Sequence, residues 1–373
     1  MIPHFFYGTL CHRPLLRVVV GRDPGGVGPA ALTGHVVHWA RDRNYPVIHA
    51  SPDGRAEGLL VEDITADEAA RLDFYEGGFG YACRDLTVDA GGRQVGARVY
   101  LPLDPLPPGA PWNLDDWAGL WGPVAAEAAA EMIALKGSRD PRRVFARYPQ
   151  ILVRAAARIR AAHGGPISQR RQAVPGDVEI VDWRQPYASF FAVEETDLRF
   201  RRFDGGFSDP VTRAVFISGD AATVLPYDPV RDRVLLIEQF RAGPHARGDV
   251  QPWLLEAIAG RVDADETPQE AARREAQEEA GVKIGELVPV GSYYPSPGGK
   301  SEYIYSYIGI ADLPDSLAGG VNGMADEHED IRTHLIPFDR LMELVESGEG
   351  ANAPLIISAL GLARLRDRLR RPA

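Results

Sequence analysis

The chain has 373 residues, 45% of them apolar and 25% charged, a globular balance with enough length for two domains. A formal charge of -11 disfavours a general binder of nucleic acid or of anionic membranes, because both partners select for excess Lys and Arg. Two cysteines, Cys11 and Cys83, exclude a disulfide framework and point to a reduced, cytoplasmic setting. No apolar run reaches the ~18 residues of a membrane span, and the opening Met1-Ile2-Pro3-His4-Phe5-Phe6-Tyr7 does not read as a signal peptide.

Residues 1–105 mix short β-like runs with polar loops and predict a small α+β domain. The runs are His4-Phe5-Phe6-Tyr7, Gly34-His35-Val36-Val37-His38-Trp39 and Ala97-Arg98-Val99-Tyr100-Leu101. Ala66, Ala69, Leu72 and Tyr75 recur at spacing three and predict a helix over residues 65–75. Five prolines between Pro102 and Pro111 mark a boundary. Residues 106–176 then form a helical spacer and linker, with helices predicted over 114–135 and 141–163. Apolar residues near helical spacing, Leu120, Val124, Ala128 and Ile133 and then Val144, Tyr148, Ile151 and Ala155, prepare these helices to pack on a neighbouring domain. Gly164-Gly165-Pro166 and the polar residues 168–172 make a second linker.

Residues 177–373 are strand-rich up to Phe240, then alternate loop, helix and strands before C-terminal helices from Asp339. That order predicts an α/β/α sandwich. Within it, Thr267 is an N-cap, Pro268 suits the first helical turn, Glu270 completes a capping box, and Gly281 ends the helix. Glu275, Glu278 and Glu279 fall within an arc of about 100° on this helix. Three carboxylates on one face repel one another unless a cation lies among them. Ala272, Ala276 and Ala280 form a narrow strip beside that face, suited to close packing on a sheet, and Arg274 stands four residues before Glu278. Such oxygen ligands suit Mg²⁺ or Mn²⁺, which bind carboxylates together with substrate phosphates. A divalent ion also explains how so acidic a chain could act on a phosphate ester.

Gly260, Glu266, Arg274-Glu275, Glu278-Glu279 and Gly281-Val282 resemble the Nudix signature at every fixed position, with Ala276 where a bulkier aliphatic is usual. The flanking text is similar to the ADP-ribose diphosphatase branch across about 190 residues. It includes Leu225-Pro226-Tyr227-Asp228, Leu236-Ile237-Glu238-Gln239-Phe240-Arg241, Trp253-Leu254-Leu255-Glu256-Ala257-Ile258-Ala259-Gly260, Ser296-Pro297-Gly298-Gly299-Lys300-Ser301-Glu302 and Ala325-Asp326-Glu327-His328-Glu329.

This resemblance implies Mg²⁺-dependent cleavage of ADP-ribose to AMP and ribose 5-phosphate. Glu275, Glu279, Glu329 and the carbonyl of Ala259 would ligate metal, Glu327 would take a proton from the attacking water, and Glu278 would complete the catalytic carboxylates. Arg213, Arg241, Phe190 or Phe191, Ser296 and Glu302 would contact substrate. Ala214 departs from the acidic residue that some relatives carry, which leaves open another nucleoside diphosphate derivative such as a nucleotide sugar or a dinucleotide. A ligand-sensing module without turnover is the third reading. The resemblance also implies a homodimer through this domain, its first strands reaching the partner's site.

Near the N-terminus, Phe6-Tyr7-Gly8-Thr9-Leu10, Leu72-Asp73-Phe74-Tyr75-Glu76-Gly77 and Tyr81-x-x-Arg84 resemble the γ-glutamylcyclotransferase-like, AIG2-like family, which implies a small β-barrel. There the turn of Tyr7, Gly8, Thr9 and Leu10 would hold a substrate carboxylate, and Glu76 would be the base that gives 5-oxoproline. The order of the parts is similar to that of bacterial proteins named for tellurite resistance, a phenotype that none of these residues derives.

Overall fold

A computed structural model describes residues 1–324 and 329–370. The chain forms two compact units, Met1–Pro166 and Ile167–Ala373. Each is built around its own core.

The first unit runs β1 (Ile2–Phe6), α1 (Arg13–Val20), β2 (Val27–Ala40), β3 (Pro46–Ile64), α2 (Ala66–Gly78), β4 (Tyr81–Ala90), β5 (Arg93–Pro102) and β6 (Pro108–Pro111). The strands pair in the order β3-β1-β5-β4-β2, and β2 pairs again with β3 to close a five-stranded barrel. Alternation along β1 turns Phe5 and Tyr7 inward, where they meet Leu32, Ile48, Leu60, Val88 and Val99. β1 is antiparallel to β3, with Phe5 opposite Leu60, and parallel to β5, with Phe5 opposite Val99. The proline-rich stretch supplies β6, which lies at the edge beside β2, where a missing N–H costs no ladder bond.

Thr65 caps α2: its side chain accepts from the Glu68 N–H, and Glu68 returns a bond to the Thr65 N–H. Ala69, Leu72 and Tyr75 are buried, as their spacing requires. The two helices predicted after Pro111 each appear as two. They are α3 (Leu114–Leu120) and α4 (Gly122–Ala134), then α5 (Pro141–Phe145) and α6 (Tyr148–Ala162). Pro123 and Pro149 sit in the first turns of α4 and α6, where a ring without an N–H starts a helix but cannot continue the one before it. α4 packs on α1, α2 and α6, so these helices are part of the first unit.

The second unit opens with β7 (Val178–Ala188), β8 (Ala192–Phe200) and β9 (Val211–Ile217), which pair in that order. Then come β10 (Ala221–Asp228), β11 (Arg233–Phe240), α7 (Ala242–Arg247), β12 (Trp253–Glu256), β13 (Ile258–Arg261) and α8 (Pro268–Ala280). β14 (Leu287–Tyr293), β15 (Ile304–Ile310), β16 (Val321–Asn322), β17 (Ile331–Pro337), α9 (Phe338–Ser347) and α10 (Ala353–Leu369) complete it.

The central sheet has the order β14-β15-β10-β11-β17-β16, with β12 on β11 and β13 on β10. Period-two alternation sends Leu235 and Ile237 of β11 to one face, against Ala272, Ala276 and Ala280 of α8. Val234 and Leu236 go to the other, against Leu341 of α9 and Leu355 and Leu362 of α10. Each buried aliphatic of this kind contributes roughly 1.5–3 kcal/mol. The result is the α/β/α sandwich. Among the described residues no helix is long and apolar enough to cross a membrane.

Candidate active sites

Local chemistry fixes α8. Thr267 Oγ1 accepts from the Glu270 N–H at 3.2 Å, and Glu270 Oε2 accepts from the Thr267 N–H at 2.8 Å. Gly281 follows the helix at φ 63°, a left-handed conformation that glycine adopts without strain. Ala272, Ala276 and Ala280 are buried on the sheet, which brings Glu275 and Glu279 against β13.

The approach of helix to strand is close. A Cβ on Gly260 would lie 1.7 Å from Glu275 Oε1, so that carboxylate occupies the space a side chain would need. Arg274 holds the acids around it. Its NH1 donates to Glu275 Oε1 at 2.7 Å and to Glu278 Oε2 at 2.9 Å, while NH2 donates to Glu266 Oε1 at 2.7 Å and to the Arg261 carbonyl at 3.1 Å. Glu279 is 2% exposed, and its Oε2 accepts from the Ala259 N–H at 3.3 Å.

Burial pushes the Glu275 pKa up to about 7 against the pull of Arg274. Glu279 is pushed up to about 8, by burial first and by the charge of Glu275 next, and Glu329 repels both. A cluster that resists its own ionisation is suited to a divalent cation, which would relieve both desolvation and repulsion. Among the described residues, no three His, Cys, Asp or Glu side chains stand arranged to hold a metal ion. Their oxygens turn to protein donors instead: Glu275 to Arg274, Glu279 to Ala259, and Glu329 Oε2 to the Met324 N–H at 3.2 Å. The donor set still fits a hard cation, being all oxygen and electrostatically coupled.

Glu327 lies outside the described residues. Arg241 pairs with Glu256 and feels the charges of Glu279 and Glu329. Arg213 is exposed on β9 and donates to the carbonyl of Thr212, with no contact to the α8 carboxylates. Phe190, 60% exposed, lies under the Arg261 guanidinium at 4.4 Å, and Phe191 packs on Phe216 with centroids 4.3 Å apart. Ser296 is exposed in a turn, its carbonyl accepting from the Lys300 N–H, and Glu302 accepts from Lys300 Nζ at 2.7 Å.

In the first unit, Tyr7, Gly8, Thr9 and Leu10 line a pocket together with Tyr45, Pro46, Tyr75, Glu76, Phe79, Tyr81 and Tyr100. The hydroxyls of Tyr7 and Tyr81 donate to the carbonyls of Tyr100 at 2.5 Å and Pro46 at 3.0 Å, away from Glu76. Glu76 has no hydrogen-bond partner among the described residues, and burial pushes its pKa up to about 8. The short 3-10 turn Thr9–Cys11 begins here, and turns of this kind leave their first N–H groups without internal partners. Cys11 donates to the Phe6 carbonyl, and burial raises its thiol to about 12, which keeps it inert.

Comparison with known proteins follows the same division. The NUDIX domain family matches residues 218–357, and the family described as gamma-glutamyl cyclotransferase, AIG2-like, matches residues 4–118. The chain is 42% identical over 182 residues to an ADP-ribose pyrophosphatase of Escherichia coli strain K12, covering 49% of this chain and 86% of that protein. The chain belongs to the Nudix hydrolases. An ADP-ribose pyrophosphatase of Haemophilus influenzae is 37% identical over 48% of this chain and 83% of its own length. A GDP-mannose pyrophosphatase of Salmonella paratyphi B is 36% identical over 42% and 80%. A crystal structure of an ADP compounds hydrolase aligns at a TM-score of 0.42 and 21% identity, over 54% of this chain and all of that one.

Beside the residues expected in the Nudix domain, the structure adds Glu256 as the partner of Arg241 and Arg261 as the partner of Phe190. Neither pairing leaves a local mark, since each joins strands or loops apart in sequence. In the AIG2-like domain it adds Tyr45, Phe79 and Tyr100 around Glu76. Tyr45 comes from the turn between β2 and β3 and Tyr100 from β5, so only the folded barrel brings them to the same pocket.

Proposed function

We propose that the Nudix domain hydrolyses the pyrophosphate of ADP-ribose, releasing AMP and ribose 5-phosphate. The observation that carries this reading is the set of buried, mutually repelling carboxylates on α8, joined to 42% identity with an ADP-ribose pyrophosphatase. Glu275, Glu279, Glu329 and the Ala259 carbonyl would hold Mg²⁺ or Mn²⁺. When bound, the ion offsets pyrophosphate charge and lowers the pKa of a water. Glu327 is assigned the proton of the attacking water, and Glu278, held by Arg274, supports the helix carboxylates. Arg241 is assigned to phosphate, Arg213 to phosphate or base, Phe190 or Phe191 to stacking on the base, and Ser296 and Glu302 to the remainder of the substrate.

The similarity to a GDP-mannose pyrophosphatase supports a second reading, a nucleotide sugar as substrate. A panel of ADP-ribose, GDP-mannose and dinucleotides with Mg²⁺, read by nucleotide product, separates them. Release of AMP from ADP-ribose above all others is expected, and a preference for a non-adenine diphosphate overturns the first reading. Val178, Ile180 and Val181 of β7 are 57%, 66% and 63% exposed, which supports a homodimer through this domain.

For the AIG2-like domain we assign Glu76 as the base that takes a proton from a substrate amine, with the substrate carboxylate on the backbone of Gly8, Thr9 and Leu10 beside Tyr7. Formation of 5-oxoproline from γ-glutamyl amines tests this, and its persistence in Glu76→Gln contradicts it.

A further inference from the structure

Glu256 ends β12, opposite Ile237 of β11. Its Oε2 accepts from Arg241 Nε at 2.9 Å, from Arg241 NH2 at 2.5 Å and from Gln239 Nε2 at 3.4 Å. The acceptor is well enclosed: the Glu256 side chain is 12% exposed, and Gln239 beside it is buried. Arg241 NH1, in contrast, donates to no described residue, and the other acids acting on this guanidinium are Glu279 and Glu329. Two of the three nitrogens are therefore fixed, and the third has no partner among the described residues.

An unheld arginine loses rotamer freedom when it binds, and a planar fork fixed beforehand loses less per bond formed. Next to Glu279 and Glu329, an unheld guanidinium would also swing onto those acids and occupy oxygens that a cation needs. We propose that Glu256 is the positioning residue of the diphosphate site: it anchors Arg241 by Nε and NH2 so that the remaining N–H groups meet a substrate phosphate oxygen. This rests on the reading of Arg241 as a phosphate contact and names the residue that makes it one.

The test compares Glu256→Gln, Glu256→Asp, Arg241→Ala and the Glu256→Gln/Arg241→Ala double variant on whichever diphosphate of the panel the wild-type chain cleaves. Loss of a charge-assisted pair in Glu256→Gln is expected to raise KM about tenfold to a hundredfold, with a smaller fall in kcat. Glu256→Asp recovers part of that loss. Glu256→Gln adds nothing once Arg241 is Ala, and half-activating Mg²⁺ stays at the wild-type value.

An unchanged KM in Glu256→Gln overturns the proposal. So does a loss that adds fully to that of Arg241→Ala, which marks a merely structural strand contact. A raised Mg²⁺ requirement does the same and makes Glu256 a metal ligand. Where the wild-type chain cleaves no diphosphate, the hydrolase reading itself fails. Wild-type turnover with an indifferent Glu256→Gln variant removes this inference alone.

Discussion

Glu76 in the AIG2-like domain and Glu279 in the Nudix domain are both pushed up to about 8 by burial, yet their neighbours differ in kind. Around Glu76 stand tyrosines whose hydroxyls donate elsewhere, Tyr7 and Tyr81 to backbone carbonyls and Tyr100 to Asp73, so burial alone shifts this carboxyl. Around Glu279 stand Glu275 and Glu329, two further acids, with Arg241 across from them. A lone buried carboxyl is relieved by one proton and then serves as a base. Clustered carboxylates are relieved by a divalent ion, which a single proton does not replace. The same shift therefore marks two different chemistries, and the neighbours decide which.

The largest expected break comes from Glu279→Gln. Turnover falls by roughly a thousandfold or more while circular dichroism and the thermal midpoint stay near wild type, because the loss is in charge rather than packing. Activity near wild type removes Glu279 from the metal shell.

Gly260→Ala is next. The new Cβ would stand 1.7 Å from Glu275 Oε1 and displace that carboxylate. A shift of this size is expected to cost about a hundredfold in kcat/KM. An unaltered rate shows that Glu275 has another productive position.

Arg274→Ala leaves Glu266, Glu275 and Glu278 without their shared cation. These side chains are partly solvated, so about 1–2 kcal/mol of stability is expected to go, read by urea unfolding. Saturating Mg²⁺ should return more stability to the variant than to wild type; equal gains in both contradict a metal among these acids.

A pH effect sharpens the other half of the comparison. Glu76 titrates at about 8 in the folded state, against an ordinary value of 4.5. Between those values the folded chain keeps a proton that the unfolded chain releases, so stability falls as pH rises from about 4.5 to about 8 and levels above. Glu76→Gln removes this slope. A first unit whose unfolding midpoint follows the same pH course in wild type and variant contradicts a buried, unpaired carboxyl.

Much of the Nudix site was legible because its rules are local. The capping box of Thr267 and Glu270, the stop at Gly281, the alanine strip and the reach of Arg274 to Glu278 all lie within one helix, where 3.6 residues per turn converts spacing into direction. The barrel was less so. Its strands, the hairpin of β2 and β3 and the helix from Thr65 follow from alternation and capping, but closure needs β1 beside β5 and β4 beside β2, long-range pairings that no local pattern encodes. The breaks at Pro123 and Pro149 carry no distinct mark, because a proline suits a first turn as well as it ends a preceding helix. Arg213, exposed on β9 with a bond only to the Thr212 carbonyl among the described residues, is named by resemblance and not by any local rule. Glu256 stayed hidden for a related reason: only the register of β12 on β11 brings it to Arg241.

Direct binding of Mn²⁺, followed by its paramagnetic resonance signal, tests the cation site without any assumption about substrate. The wild-type chain should bind Mn²⁺ saturably and release it to excess Mg²⁺, and Glu275→Gln/Glu279→Gln should lose that binding while remaining folded. Wild-type binding that survives in the double variant, or no binding to the wild-type chain at all, contradicts the assignment of α8 as a metal-holding helix.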